Sequence, residues 1–184
     1  MHRQSLLNLL RQHIPDDADE QAMTDATIAF VSQHPDCFKR SLPIGHVTGS
    51  AWIISPNRQS VVLIHHRKLD RWLQPGGHAD GDPDVVAVAL REAREETKLN
   101  SLRLVSEGDG QPAVFDVDVH LIPARGDVSE HRHYDIRFLM EADPDEPFGV
   151  SDEVKNSRWF LMRNLNSYVD SSSILRMASK IQKN

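Results

Sequence analysis

The segment 84–98 constrains the fold most, because it is the strongest helix signal in the chain and lies between two groups of strand-like segments. Asp82 can cap this helix, and Pro83 suits its first helical position. Strands are predicted at 46–54, 60–66, 103–106, 114–122, 131–141 and 157–161. Strands on both sides of one helix, followed by a last helix, predict a layered domain of either the α/β/α or the α+β class.

Helical periodicity also marks both ends of the chain. Residues 3–13 and about 23–33 predict a helical hairpin, and residues 171–182 predict a C-terminal helix. We therefore expect an N-terminal helical extension over residues 1–43 and one domain over residues 44–184. The leucines of the first helix suit either the core of the chain or the surface of a partner subunit, so a homodimer stays open.

The composition excludes several classes of protein. The 184 residues suit one domain, and 39% hydrophobic with 26% charged residues is typical of a globular chain. The single cysteine, Cys37, cannot form an internal disulfide, and no apolar run approaches the length of a membrane span. We expect a cytoplasmic protein without membrane contact. The net charge of −6 disfavours nucleic acid as a partner, and an anionic ligand would need a bound cation or clustered basic residues.

Three glutamates give the central helix its chemistry. At about 100° per residue, Glu92, Glu95 and Glu96 fall within one arc of about 100°. Carboxylates this close repel one another unless a cation lies between them, and oxygen ligands favour Mg²⁺ or Mn²⁺. Gly76 and Gly77 precede the helix, and glycines let the backbone approach a ligand closely. A charged helix that simply faces water is the alternative that this segment alone leaves open.

Two predicted strands carry polar stripes rich in His and Asp. Alternation places Asp116, Asp118 and His120 on one face of the strand at 114–122. The strand at 131–141 carries four polar residues on one face: His131, His133, Asp135 and Arg137. Such stripes either line a cleft or meet water, as one face of an antiparallel sheet often does.

The spacing around the helix resembles the Nudix box, in which a glycine, five residues, a glutamate and seven residues precede Arg-Glu-aliphatic-any-Glu-Glu-any-Gly-aliphatic. Five of the seven fixed positions are in register, namely Gly77, Arg91, Glu92, Glu95 and Glu96. The entry 72–78, read as Trp-Leu-Gln-Pro-Gly-Gly-His, is also similar to the family's usual approach to the box. The resemblance covers about residues 46–165.

Two positions depart from the Nudix box. Pro83 replaces the first box glutamate between Asp82 and Asp84, so helix initiation survives. Lys98 replaces the glycine after the helix, where a left-handed backbone costs a non-glycine residue about 1 kcal/mol. We expect Asn100 to end the helix instead.

The resemblance implies an α+β fold of the Nudix α/β/α sandwich type, with mixed sheets flanked by helices. It also implies that the chain hydrolyses a phosphoanhydride bond in a nucleoside diphosphate linked to another moiety, and that this reaction depends on a divalent metal. The metal, Mg²⁺ or Mn²⁺, is expected on Glu92, Glu95, Glu96 and the Gly76 carbonyl. Expected catalytic residues are Glu92, Glu95 and Glu153. Glu92 is the first candidate for the general base and Glu153 the second, although Glu153 also suits an exposed loop.

The resemblance also implies that the polar stripes bind a small nucleotide-type substrate. A basic patch just before the box, formed by His65, His66, Arg67, Lys68 and Arg71, is expected to help bind it. Expected substrate-binding residues are Arg67, His131, His133, Asp135 and Arg137, which suit a phosphate, a base or a further metal. Two alternatives stay open. One is a catalytically inactive Nudix-like domain that senses a nucleotide or ADP-ribose, against which the intact glutamates argue. The other is an isomerase-like use of the fold, whose hallmark is an active cysteine. This alternative gains no support, because the single cysteine, Cys37, lies far from the box in the sequence.

Overall fold

The computed structural model describes residues 2–106 and 110–183. The helices of this part are α1 (Gln4–Gln12), α2 (Ala18–Gln33), α3 (Val85–Thr97) and α4 (Ser172–Lys183). The strands are β1 (Gly45–Ile54), β2 (Ser60–His66), β3 (Arg71–Leu73), β4 (Gly76–His78), β5 (Arg103–Leu104), β6 (Asp116–Ile122), β7 (His131–Glu141) and β8 (Val154–Leu161). A 3-10 turn over Met162–Ser167 follows β8. No helix among the described residues is long and apolar enough to cross a bilayer.

These strands form one mixed sheet with β1 near its centre. β1 pairs in parallel with β7 along its whole length, from Gly45 beside Arg132 to Ile54 beside Glu141. On its other side, β1 pairs antiparallel with β2 and with the short β4. The sheet extends from β2 to β3 and β8, and from β7 to β5 and β6.

Helices cover both faces of this sheet, which confirms the expected Nudix-like α/β/α layering. Val47 and Ala51 of β1 share a hydrophobic core with α3. Trp52 and Ile54 alternate to the other face and pack with α4 in a second core. Gly49 lets α3 approach, because a Cβ there would lie 2.9 Å from the carbonyl oxygen of Val85.

The two N-terminal helices pack into the same core as α3. Leu6, Leu7 and Leu10 of α1 are buried there, and Phe30 of α2 stacks on Tyr134 of β7 with ring centroids 3.9 Å apart. The leucines of α1 thus cover the chain's own core. The homodimer and the division at residue 43 stay predictions.

A buried ionic network ties both terminal regions to the sheet. Glu20 of α2 is fully buried, and Lys180 Nζ of α4 donates to its carboxylate over 2.5 Å. His13 Nε2 lies 2.9 Å from the same carboxylate, and the Val117 N–H of β6 donates to it over 3.2 Å. Lys180 also pairs with Asp116 of β6 over 2.8 Å. Each charge in this part of the interior therefore has a charged partner.

The ends of α3 differ from the sequence prediction. The prediction that Asp82 caps the helix is wrong, because the Asp82 carboxylate accepts a hydrogen bond from the Asp84 N–H in a turn before the helix. Asp84 is the cap instead and accepts from the Ala87 N–H over 3.0 Å. The helix ends at Thr97, and the next residue, Lys98, is its C-cap with a left-handed φ of 60°, so the prediction that Asn100 ends the helix is also wrong.

Candidate active site

The glutamates of α3 lie beside the glycine turn of β4. Glu96 is buried and accepts a hydrogen bond from the Gly76 N–H over 2.9 Å. Glu92 is half-buried against Gly77, where any Cβ would collide with the Glu92 carboxylate. Glu95 is exposed one residue before Glu96. The close contact at Gly77 gives a physical reason for glycine at this position.

The burial of these carboxylates disfavours their ionised forms. Burial raises the pKa of Glu96 to about 8, and the nearby charges of Glu92, Glu153 and Glu95 raise it further. Burial also raises the pKa of Glu92, while the Arg91 guanidinium, 3.1 Å from that carboxylate, opposes the shift. A divalent cation among these oxygens would offset their repulsion. The set of hard oxygen donors fits Mg²⁺ or Mn²⁺.

Glu153 lies on the segment just before β8. Arg67 binds the backbone of this segment. The Arg67 side chain donates from Nε to the Asp152 carbonyl over 2.8 Å and from Nη2 to the Val154 carbonyl over 3.2 Å. The Arg67 N–H also donates to the Glu153 carbonyl over 3.0 Å. The Glu153 side chain is exposed, and its charge contributes to the raised pKa of Glu96. Arg67 therefore fixes the backbone on both sides of this acidic residue.

The polar stripes of β6 and β7 lie side by side on one face of the sheet, because the two strands are neighbours, and the inner parts of the stripes are buried. Arg137 is 2% exposed and pairs with Asp116 over 3.0 Å, Asp118 over 3.2 Å and Asp135 over 2.8 Å. Arg176 of α4 adds a second guanidinium to Asp116 over 2.8 Å. This part of the stripes is an internal ion-pair network that does not face water.

Asp135 connects this network to the glycine turn. It accepts hydrogen bonds from the hydroxyls of Thr48 over 2.8 Å and Ser50 over 2.7 Å, and from the Gln74 amide over 3.2 Å. Ser50 packs so closely on Gly76 that any Cβ there would collide with it. These three partners were not predicted from the sequence, although alternation on β1 places Thr48 and Ser50 on one face.

His131 and His133 lie together with a third histidine of β1. In the parallel register His46 is the partner of His133, and their ring centroids lie 4.7 Å apart. The rings of His46 and His131 stack with centroids 5.1 Å apart. Burial lowers the pKa of His46 to about 4 and that of His133 to about 3, so both rings are neutral at neutral pH.

Comparison with known proteins settles the family. The model of a family described as the NUDIX domain matches residues 46–176. The chain belongs to the Nudix family. This match confirms the expected class of enzyme, a Nudix-type pyrophosphohydrolase acting on acid anhydrides. None of the curated proteins matches the chain in a sequence search.

Solved structures of other proteins share this fold. A hydrolase of the Nudix family from Clostridium perfringens is 26% identical with a TM-score of 0.54, and the match covers 75% of this chain and 96% of that one. An Ap4A hydrolase of C. elegans in a binary complex is 18% identical with a TM-score of 0.57, covering 74% and 97%. The dihydroneopterin triphosphate pyrophosphohydrolase of E. coli is 15% identical with a TM-score of 0.56, covering 75% and 96%.

Proposed function

We propose that the chain hydrolyses a phosphoanhydride bond in a nucleoside diphosphate linked to another moiety, with the help of a divalent cation. The observation that carries this proposal is the convergence of Glu92 and Glu96 on the glycine turn of β4. Membership of the Nudix family supports the acid-anhydride substrate. Two proteins of the same fold are named for Ap4A and dihydroneopterin triphosphate, which both contain phosphoanhydride bonds.

The residues proposed to hold Mg²⁺ or Mn²⁺ are the side chains of Glu92, Glu95 and Glu96 and the carbonyl of Gly76. These residues would place a divalent cation where it would neutralise the diphosphate and polarise the phosphorus for attack by water. Hydrogen bonds within the chain hold two of these carboxylates in place. The Gly76 N–H holds the buried Glu96 carboxylate, and Arg91 holds that of Glu92.

Three residues that were expected to bind substrate, Asp135, Arg137 and Arg67, are better suited to positioning other parts of the site. Asp135 and Arg137 are each 2% exposed and bind one another, so we propose that they support the glycine turn through Ser50. Arg67 binds the backbone around Glu153, so we propose that it positions this acidic residue. Both roles are proposals in place of the substrate contacts that the sequence suggested.

The experiment that tests the proposed reaction is a substrate screen with identified products. The purified chain is incubated with dinucleoside polyphosphates, ADP-ribose, nucleoside triphosphates and a non-nucleotide pyrophosphate, with Mg²⁺ or with Mn²⁺. We expect phosphate-containing products from at least one nucleotide substrate, and none after chelation with EDTA, because the carboxylates alone cannot neutralise the diphosphate. A ligand that raises the unfolding temperature of the chain without any product forming would favour the sensor alternative and contradict our proposal.

The assignment of the general base has a separate test. We propose Glu92, and Glu92→Gln is expected to lower kcat by roughly 10² to 10⁴ at saturating Mn²⁺, since this is the usual contribution of a positioned base. Glu153→Gln, on the exposed segment held by Arg67, is the matched variant and should change kcat by less than about tenfold. The measurement is kcat and kcat/KM against pH for both variants. If Glu153→Gln shows the larger fall and loses the acidic limb of the profile, the base is Glu153.

A further inference from the structure

A second group of potential metal ligands lies on the face of the sheet opposite α3. It comprises five histidines: His46 on β1, His78 on β4, His120 on β6, and His131 and His133 on β7. Neighbouring rings in this group have centroids 4.7 to 5.4 Å apart. Gly49 and Gly77 are partners that face α3, so the adjacent partners Thr48 and His78 face away from it. Strand alternation thus separates the histidines from the glutamates of α3.

His46 is the residue that points to a ligand. It is 3% exposed, and neither Nδ1 nor Nε2 has a hydrogen-bond partner among the residues that the structure describes. Within the described ranges 2–106 and 110–183, Nε2 of His133 is also buried without a hydrogen-bond partner. A buried polar atom without a partner is costly, and in native proteins such atoms usually have a water, an ion or a functional role. Three such nitrogens in one small volume therefore need an explanation.

The arrangement of the rings suits a metal ion. One ring nitrogen each of His46, His131 and His133 lie within 4.8 Å of one another. A tetrahedral Zn²⁺ with Zn–N bonds of about 2.0–2.1 Å needs nitrogens roughly 3.4 Å apart, so the three rings would have to draw closer around the ion. Nδ1 of His131 lies 2.9 Å from the Ser129 carbonyl oxygen. This contact directs the Nδ1 proton to the carbonyl and leaves Nε2 for the ion, as is usual for metal-bound histidine.

We propose that His46, His131 and His133 bind a transition-metal ion of the Zn²⁺ class, at a site distinct from the carboxylates of α3. Imidazole nitrogen suits Zn²⁺, Co²⁺, Ni²⁺ and Cu²⁺, whereas Mg²⁺ takes oxygen ligands. The ion would link the parallel strands β1 and β7, since His46 and His133 are register partners. Three protein ligands leave a fourth position for solvent or a bound anion. This site does not depend on the hydrolysis proposed above.

The test is metal binding by the full chain after removal of metals with EDTA. Co²⁺ and Zn²⁺ are titrated in a large excess of Mg²⁺, which occupies oxygen sites. We expect one Co²⁺ per chain with the ligand-field absorption of nitrogen ligation, displacement of that Co²⁺ by Zn²⁺, and a higher unfolding temperature with Zn²⁺. No binding of Co²⁺ or Zn²⁺ in excess Mg²⁺ would overturn the proposal.

Variants assign the binding to the histidines. His46→Gln and His131→Gln are each expected to weaken Zn²⁺ binding by at least about tenfold and to abolish the thermal shift. His131 is only half-buried, so its variant keeps the test valid if His46→Gln does not fold. His2→Gln, at an exposed histidine, and the double variant Glu95→Gln with Glu96→Gln should both bind Zn²⁺ as the wild type does. Wild-type affinity in His131→Gln, or loss in the glutamate double variant, would show that the ion binds elsewhere.

Discussion

Replacing Glu95 and Glu96 together with glutamine is expected to lower kcat by roughly a thousandfold or more. A metal ion supplies several kcal/mol of charge stabilisation in the transition state, and about 4 kcal/mol corresponds to roughly a thousandfold in rate. Glutamine keeps the size of each side chain, and its amide oxygen can still accept from the Gly76 N–H that now binds Glu96. The loss should therefore come from the missing charge and not from a changed shape.

The same double variant is expected to be at least as stable as the wild type without metal. The folded-state pKa of Glu96, about 8, lies above its usual value, so the wild type loses stability as the pH rises from about 4.5 to 8. Glutamine does not titrate, so the variant escapes this loss. The measurements are kcat, Mn²⁺ affinity, and thermal unfolding of the metal-free proteins at pH 5 and pH 8.

A matched control separates the metal site from a general loss of negative charge. Glu141→Gln removes one carboxylate from β7, where it pairs with the exposed Arg103, and such pairs contribute about 0–1 kcal/mol. We expect turnover and Mn²⁺ affinity of this control to match the wild type. If the Glu95 and Glu96 double variant also turned over like the wild type, the carboxylates would not be the metal site.

Local patterns in the sequence predicted most of the longer elements well, although α2 begins at Ala18, five residues before the predicted start at about residue 23. The strands at 60–66 and 131–141 match β2 and β7 to the residue, because the apolar run of β2 and the period-two alternation of β7 depend only on neighbours along the chain. The three-residue strands β3 and β4 were not predicted, since so short a segment carries no periodicity and forms only by pairing with β2 and β1. Likewise β8 begins at Val154, three residues earlier than predicted.

In the candidate site too, features that depend on local geometry were predictable from the sequence, and features that depend on packing or strand register were not. The glutamates of α3 are neighbours because helix geometry is local, and their spacing therefore indicated the cluster. The burial of Glu96 depends on how α3 packs against β4, which no local pattern encodes. The histidine group depends on the register of β1 with β7, so His46 was not predicted to join it from the strand pattern of β1. Its alternation of His46, Thr48 and Ser50 was the signal that could have revealed it.

Glu20→Gln is expected to lower the free energy of unfolding by about 3–5 kcal/mol at pH 7, although Glu20 lies outside the proposed active site. This carboxylate is fully buried, and it accepts from Lys180 of α4 and from the Val117 N–H of β6. Neutralising it leaves the Lys180 charge with a weaker set of partners in the interior. For a chain of this length the change corresponds to a fall of roughly 10 °C in the unfolding temperature.

The dependence on pH distinguishes a lost charge from a lost shape. Hydrogen bonds from His13, the Asp16 N–H and Lys180 outweigh burial and depress the folded-state pKa of Glu20 far below its usual 4.5. The stability that it contributes is complete above pH 4.5 and is lost as the pH falls toward the folded-state pKa. The difference between wild type and Glu20→Gln, measured by urea unfolding, should therefore shrink steadily below pH 4.5. A purely steric effect would leave that difference constant.

Asp16→Asn is the matched control, because Asp16 and Lys183 form an exposed ion pair between the same two regions of the chain. Exposed pairs contribute about 0–1 kcal/mol, so this variant should unfold nearly as the wild type does. If both variants lost the same small amount, the interior charges would add no more than surface ones. The N-terminal helices would then owe their attachment to the leucines of α1 and the stacking of Phe30 on Tyr134.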